Sequence, residues 1–189
     1  MAQELTQTAW TPRQVTPGPE MQALARFFYD CIWTGKVYAN MQGPGSPEME
    51  AVGGMRCQPF MDGLWIAGDG YQDQFVDGKK LLTWKLHLVV GWDAVAREYR
   101  AVLVDSNGTA TLLRGAIDGA RLVMTPVGTV ATAGQMGTLR LVWDATDPQA
   151  VVWRNEASVD GGPWMLIEDY VMVPAPEGGA CGGATTTVE

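Results

Sequence analysis

Basic residues are scarce in this sequence, and the shortage excludes whole classes of partner. Thirteen Lys and Arg stand against 21 Asp and Glu, which gives a formal net charge of −8. The one adjacent basic pair is Lys79-Lys80, so no basic stripe can neutralise a row of nucleic-acid phosphates. The same deficit disfavours binding to an anionic membrane surface. We therefore expect neither nucleic acid nor a membrane as a partner.

Long apolar runs are also missing. No segment approaches the roughly 18 to 20 apolar residues of a membrane span. The N-terminal stretch Met1–Pro19 is polar and has no apolar run that could serve as the core of a signal peptide. The resulting expectation is a cytoplasmic protein.

Cysteine and histidine are too few for most metal, redox and nucleophilic sites. Cys31, Cys57 and Cys181 lie far apart and form no Cys-x-x-Cys pair. His87 is the only histidine, so a multi-histidine metal site is excluded. A Ser or Cys triad would have to use His87, and the sequence has no Gly-x-Ser-x-Gly elbow to carry the nucleophile. His87 could be a structural or surface residue, a group for proton transfer, or an axial haem ligand. We expect no metal and no cofactor.

The length and the composition suit one globular domain. The chain has 189 residues, of which 47% are hydrophobic and 18% charged. Residues 1–19 and 174–189 have little apolar surface to bury, so we expect a flexible N-terminal segment and a disordered Gly/Thr-rich tail around a domain at 20–173. One helix is predicted over Pro19 to Trp33, because Pro19 suits a first turn and Met21, Leu24 and Phe28 follow at helical spacing.

From Trp33 onward, apolar and polar residues alternate with a period of two, which indicates strands. The predicted strands are 33–41, 49–58, 64–73, 81–91, 98–105, 109–117, 121–126, 137–145, 150–159 and 163–173. Four turn dipeptides separate some of them: Asp77-Gly78, Asn107-Gly108, Asp118-Gly119 and Asp160-Gly161. An open sheet of this size would expose its edges. The sequence therefore predicts an all-β fold, a closed up-and-down antiparallel barrel of about ten strands with one short N-terminal helix.

The alternation also predicts which side chains face inward. In 81–91, the inward set is Trp84, Leu86, Leu88 and Val90. In the last hairpin, pairing Val159 with Pro163 places Trp153 on one face with Ile167, and Arg154 opposite Glu168 on the other face.

Glu168 and Asp169 alternate, so one of the two carboxylates should point inward in any register. An inward carboxylate would have a raised pKa and could act as an acid or as a polar anchor. The alternative is a carboxylate paired with Arg154 or Arg140.

Several short motifs resemble a known family of lipocalin-like, single-domain bacterial proteins of unknown function. They are Pro17-Gly18-Pro19-Glu20 before the helix, Trp33 at the first strand, Gly91-Trp92-Asp93 followed by Tyr99 and Val104-Asp105-Ser106, and Ile167-Glu168-Asp169-Tyr170 in the last strand. Cys31 and Met172 stand where the family often has Gly and Arg. The resemblance implies a small calycin-type barrel whose lumen could hold a mostly apolar ligand, and it implies no catalytic residues.

Eight tryptophans suggest what the lumen could contain. Large aromatic walls with few polar groups suit a planar apolar ligand, and they equally suit a filled core. The first hypothesis is a binding protein for a small hydrophobic or aromatic molecule, with Trp65, Trp84, Tyr99 and Trp153 as walls and Glu168 as anchor. The alternative is a cofactor-independent lyase, isomerase or hydratase in which His87 or Glu168 moves a proton. A third hypothesis is an interaction domain that uses an exposed sheet face or edge, with a homodimer as one such case.

Overall fold

The computed structural model describes residues 15–128, 130–132 and 135–176. Its helix is α1 (Pro19–Ala25). Its strands are β1 (Cys31–Val37), β2 (Met49–Phe60), β3 (Trp65–Val76), β4 (Lys79–Asp93), β5 (Glu98–Asp105), β6 (Ala110–Asp118), β7 (Arg121–Pro126), β8 (Val130–Thr132), β9 (Gln135–Asp144), β10 (Val151–Val159) and β11 (Met165–Pro174). The predicted terminal segments are 1–19 and 174–189. Most of each segment, namely 1–14 and 177–189, lies outside the described residues.

The strands form an antiparallel sheet that closes on itself. Each strand from β1 to β7 pairs with the next, β7 pairs with β9, β9 with β10, β10 with β11, and β11 returns to β1. Ten strands complete this ring, and short β8 pairs with the start of β9. The prediction of a closed ten-strand barrel with one short helix is confirmed. Strand β8 was not predicted, because three residues are too few to show a period.

The predicted helix was too long at its C-terminal end. It begins at Pro19 as expected but ends at Ala25, and Cys31 and Trp33 belong to β1. Both side chains are buried on the inner face, whereas Ile32 between them is exposed. The separation of Phe28 and Cys31 is helical and that of Cys31 and Trp33 is typical of a strand, so the change of period falls within a few residues. Burial of Cys31 and Trp33 inside the barrel favours the strand.

Helix α1 lies across one end of the barrel. Its Leu24 is fully buried, as is Phe27 just beyond its last turn. The hydroxyl of Tyr99 on β5 donates a hydrogen bond of 3.0 Å to the carbonyl oxygen of Glu20, and Arg26 donates to the carbonyl oxygen of Gly119. These contacts attach α1 to the barrel and close that end.

All four turn dipeptides lie at turns between consecutive strands, as predicted, although Asp118 of Asp118-Gly119 is still the last residue of β6. In two of them both residues have positive φ: Asp77 at 49° with Gly78 at 73°, and Asp160 at 50° with Gly161 at 70°. Two consecutive residues in this region make the tight turns that match the twist of antiparallel strands.

The register of the last hairpin changes at a β-bulge. Near the turn, Ala157 pairs with Met165 as predicted, but the register shifts between Asn155 and Glu156. Beyond the bulge, Asn155 is opposite Glu168 and Arg154 is opposite Asp169. The predicted pairing of Arg154 with Glu168 is therefore wrong, because one extra residue moves the rest of β11 to the other face.

Within the described residues, no helix is long and apolar enough to cross a membrane.

Candidate functional site: a polar cluster inside the barrel

A chain of polar side chains crosses the apolar interior of the barrel. The indole nitrogen of Trp33 on β1 donates to Gln72 Oε1 on β3 at 3.0 Å, and Gln72 Nε2 donates to the Tyr170 hydroxyl on β11 at 3.1 Å. The Tyr170 hydroxyl in turn donates to Glu168 Oε2 at 2.5 Å. Trp33, Gln72 and Tyr170 are each about 1% exposed. This branch therefore ends on one oxygen of the Glu168 carboxylate.

A second branch ends on the other oxygen. The indole nitrogen of Trp153 donates to Asn155 Oδ1 at 2.9 Å, and Asn155 Nδ2 donates to Glu168 Oε1. An indole nitrogen can only donate, so Trp153 fixes the orientation of the Asn155 amide. Trp33 fixes Gln72 in the same way. Both branches thus direct their donors at the Glu168 carboxylate.

The Glu168 carboxyl lies in surroundings that disfavour its charged form. Burial raises the pKa of its carboxyl, and the hydrogen bonds from Tyr170 and Asn155 oppose that shift. Part of the residue's surface stays accessible although protein atoms surround its carboxylate. Among the described residues no cation forms an ion pair with Glu168, since Arg140 pairs with Glu156 and Arg154 lies opposite Asp169.

Beneath the cluster, towards α1, the barrel is filled by aromatic rings. The ring of Trp153 stacks on Trp143 with centroids 5.8 Å apart, and it meets Trp33 edge-on at 5.9 Å and Tyr170 at 5.0 Å. Phe28 extends the stack from Trp143 at 5.3 Å. Trp153 is 5% exposed, so the predicted wall residue forms the floor beneath Glu168.

Towards the end opposite α1, the interior is less completely filled. Inward-facing side chains there keep accessible surface, as Glu168 does: Trp84, Leu103, Thr111 and Leu139. On β4 the predicted inward set of Trp84, Leu86, Leu88 and Val90 lies on the inner face as expected. The partly exposed inward side chains at this end are mostly apolar, with Thr111 as the polar one, and the amide of Gln74 is buried on the same face.

Three of the predicted site residues lie elsewhere. Trp65 begins β3 on the outer face, where its ring covers Gly91. Tyr99 is buried at the α1 end, with its ring 5.0 Å from that of Trp92. His87 lies on the outer face of β4, where Nδ1 is 2.7 Å from Asp69 Oδ1 and 45% of the side chain is exposed. His87 therefore cannot reach a molecule in the lumen, and the enzymatic hypothesis retains Glu168 alone.

The sequence analysis missed three members of the cluster, Gln72, Asn155 and Tyr170. All three have inward parity on their strands once the register is known. Gln72 lies opposite Gly53, and the missing side chain of that glycine leaves room for the ring of Trp33, which donates to Gln72. The glycine is the signal in the sequence that a large inward side chain packs at this position.

Replacing Glu168 with Gln should remove part of the pH dependence of stability. Because burial raises the pKa of this carboxyl in the folded state, the unfolded chain binds fewer protons between the unfolded and the folded pKa, and stability falls as pH rises through that window. Gln cannot ionise, so Glu168→Gln should gain stability relative to the wild type as pH rises from 4 to 8. Urea unfolding at several pH values measures this, with the outward-facing Asp169→Asn as control. A difference that does not grow with pH would contradict the expectation.

No group of three or more His, Cys, Asp or Glu side chains in the described residues is placed to hold a metal ion.

Comparisons with known proteins agree with the fold. The crystal structure of Rv2717c from M. tuberculosis is similar with a TM-score of 0.57 and 13% sequence identity, and the alignment covers 85% of this chain and 99% of that chain. At this identity the likeness concerns the fold alone. No curated protein matches the chain at a significant level. A family model described as a protein of unknown function, DUF1579, matches residues 16–170, most of the chain. The chain therefore belongs to the DUF1579 family.

Proposed function

We propose that this protein binds one small, mostly apolar molecule in the lumen of its barrel, with Glu168 as the polar anchor. The observation that carries the proposal is a group of inward-facing, partly exposed side chains at the end of the barrel away from α1. Trp84, Leu103 and Leu139 keep accessible surface there, as Glu168 does, although other inward residues at that end are buried. An apolar space with few convergent polar groups is the usual form of a small-molecule site. This use of the lumen would be lipocalin-like.

Trp84, Leu103 and Leu139 supply the apolar contact surface of the proposed site. Burying apolar ligand surface there would contribute about 25 cal/mol per Å² before the costs of association. Trp84 would face the ligand with a ring that retains accessible surface, so its fluorescence should report occupancy.

Leu103→Trp should abolish the site while Val102→Trp leaves it intact. Leu103 faces inward with accessible surface, whereas its neighbour Val102 on β5 faces outward and is 43% exposed. We expect the neutral probe N-phenyl-1-naphthylamine to bind the wild type at one site per chain, and Leu103→Trp to weaken its binding at least about ten-fold, the equivalent of 1.4 kcal/mol. Fluorescence titration measures both variants, after circular dichroism has shown that they are folded.

Equal weakening by both variants would contradict a lumen site, and so would unchanged binding to Leu103→Trp. Native mass spectrometry of the freshly purified protein, compared with its denatured mass, provides an independent test. A small molecule released only on denaturation would support the proposal.

A further inference from the structure

We infer that the molecule held in the lumen meets Glu168 with a hydrogen-bond donor, best a protonated amine and next a hydroxyl, and that carboxylates are rejected. This inference rests on the proposed function, since it names the chemical class of the ligand for the same site.

The directions of the hydrogen bonds in the cluster decide which group is left for the ligand. Trp33 and Trp153 have only donor nitrogens, so they occupy the oxygens of Gln72 and Asn155 and turn both amide nitrogens towards Tyr170 and Glu168. Each amide nitrogen has a second N–H, but Gln72 and Asn155 are only 1% and 7% exposed, whereas Glu168 is partly exposed. The group of the cluster that is open to a ligand is therefore the carboxyl, which accepts hydrogen bonds when ionised.

The Glu168 carboxylate can accept more hydrogen bonds than it receives within the protein. An ionised carboxylate can accept about four hydrogen bonds, and this one receives one at each oxygen, from Asn155 and from Tyr170. Glu168 faces the inside of the barrel, and the residue as a whole is partly exposed. A donor on the ligand can thus be accommodated without breaking either bond.

The described residues place no cation beside Glu168 on the inner face of the barrel. Every Lys, Arg and His in the described residues lies at least partly exposed, and the nearest arginines in the sheet register, Arg140 and Arg154, are on the outer face. Buried charges are normally paired. A cationic ligand would stabilise the ionised form of Glu168, whereas a ligand carboxylate would bring a second acidic group beside it without a cation to offset the repulsion.

A series of ligands with one ring system and different end groups tests the inference. We propose isothermal titration calorimetry at pH 7 with 2-naphthylmethylamine, 2-naphthalenemethanol, naphthalene and 2-naphthoate. The amine should bind at least about ten-fold more tightly than the naphthoate, in line with the contribution of one charge-assisted hydrogen bond. The alcohol should lie between them, and naphthalene should bind more tightly than the naphthoate.

Two matched variants assign the preference to one carboxylate. Glu168→Gln should bring the ratio of amine to naphthoate affinity close to one, whereas Asp169→Asn, on the outer face of the same strand, should leave the ratio unchanged. If all four compounds bind the wild type equally well, the inference fails and lumen binding stands. Tighter binding of the naphthoate than of the amine would also overturn it. If none of the four binds, the proposed function fails together with the inference.

Discussion

Gly35→Ala should destabilise the barrel by about 3 kcal/mol, at the upper end of what overpacking a core costs. A Cβ at Gly35 would lie 2.6 Å from Tyr170 Cδ1 and 2.8 Å from Tyr170 Cα, and would press on the carbonyl oxygen of Asp169. Two of these atoms belong to the backbone of β11, which pairs with β1 at this point. Relief requires the two strands to separate or the Tyr170 ring to leave Glu168. Urea unfolding measures the loss.

Gly70→Ala is the matched control for this substitution. Gly70 also lies on the inner face of the barrel, on β3, and neither glycine has a positive φ. Its added Cβ would meet Leu86 Cγ at 3.2 Å and the Gly54 carbonyl oxygen at 3.3 Å, a crowding that the flexible Leu86 side chain can relieve. We expect a loss of about 1 kcal/mol or less. Equal losses for the two variants would show that the approach of β11 to β1 is not what requires glycine at position 35.

Most of the fold was predictable from the sequence because the strands show a clear period and the turns have distinctive residues. All ten ring strands were predicted, and the inward face of 81–91 was correct, since its apolar residues alternate with Thr83, Lys85 and His87 over most of the strand. The helix end was not predictable in the same way, since Leu24, Phe28 and Cys31 continue the helical spacing and only the two-residue separation of Cys31 and Trp33 indicates a strand.

The site was predictable only in part. Alternation alone required either Glu168 or Asp169 to point inward, but a bulge at Asn155 decided which side chains accompany it. Nothing in a local pattern reveals a bulge of one residue, so Arg154 was wrongly placed opposite Glu168. Gln72 was missed because a polar residue on a strand usually faces solvent, and its partners Trp33 and Tyr170 are 39 and 98 residues away in sequence.

Trp153→Ala should cost about 4 kcal/mol, because it removes a large ring from the filled half of the barrel. The ring contacts Trp143, Trp33 and Tyr170, so its loss leaves three aromatic neighbours beside a cavity. Trp164→Ala is the control, since Trp164 is 40% exposed and its ring stacks on the guanidinium of Arg140; we expect a loss of about 1 kcal/mol at most. Comparable losses in the two variants, measured by urea unfolding, would contradict the buried role of Trp153.

Trp153→Phe removes the hydrogen bond of the indole nitrogen and keeps an aromatic ring, so it measures the two contributions separately. Phe keeps most of the apolar contact but leaves Asn155 Oδ1 without its donor, and Asn155 is 7% exposed. An unsatisfied buried acceptor costs about 1 to 3 kcal/mol, so this variant should fall between the wild type and Trp153→Ala. The Asn155 amide would also be free to rotate and withdraw Nδ2 from Glu168. Loss of that donor would raise the pKa of Glu168 further, and the stability of Trp153→Phe should therefore decline more steeply than that of the wild type as pH rises.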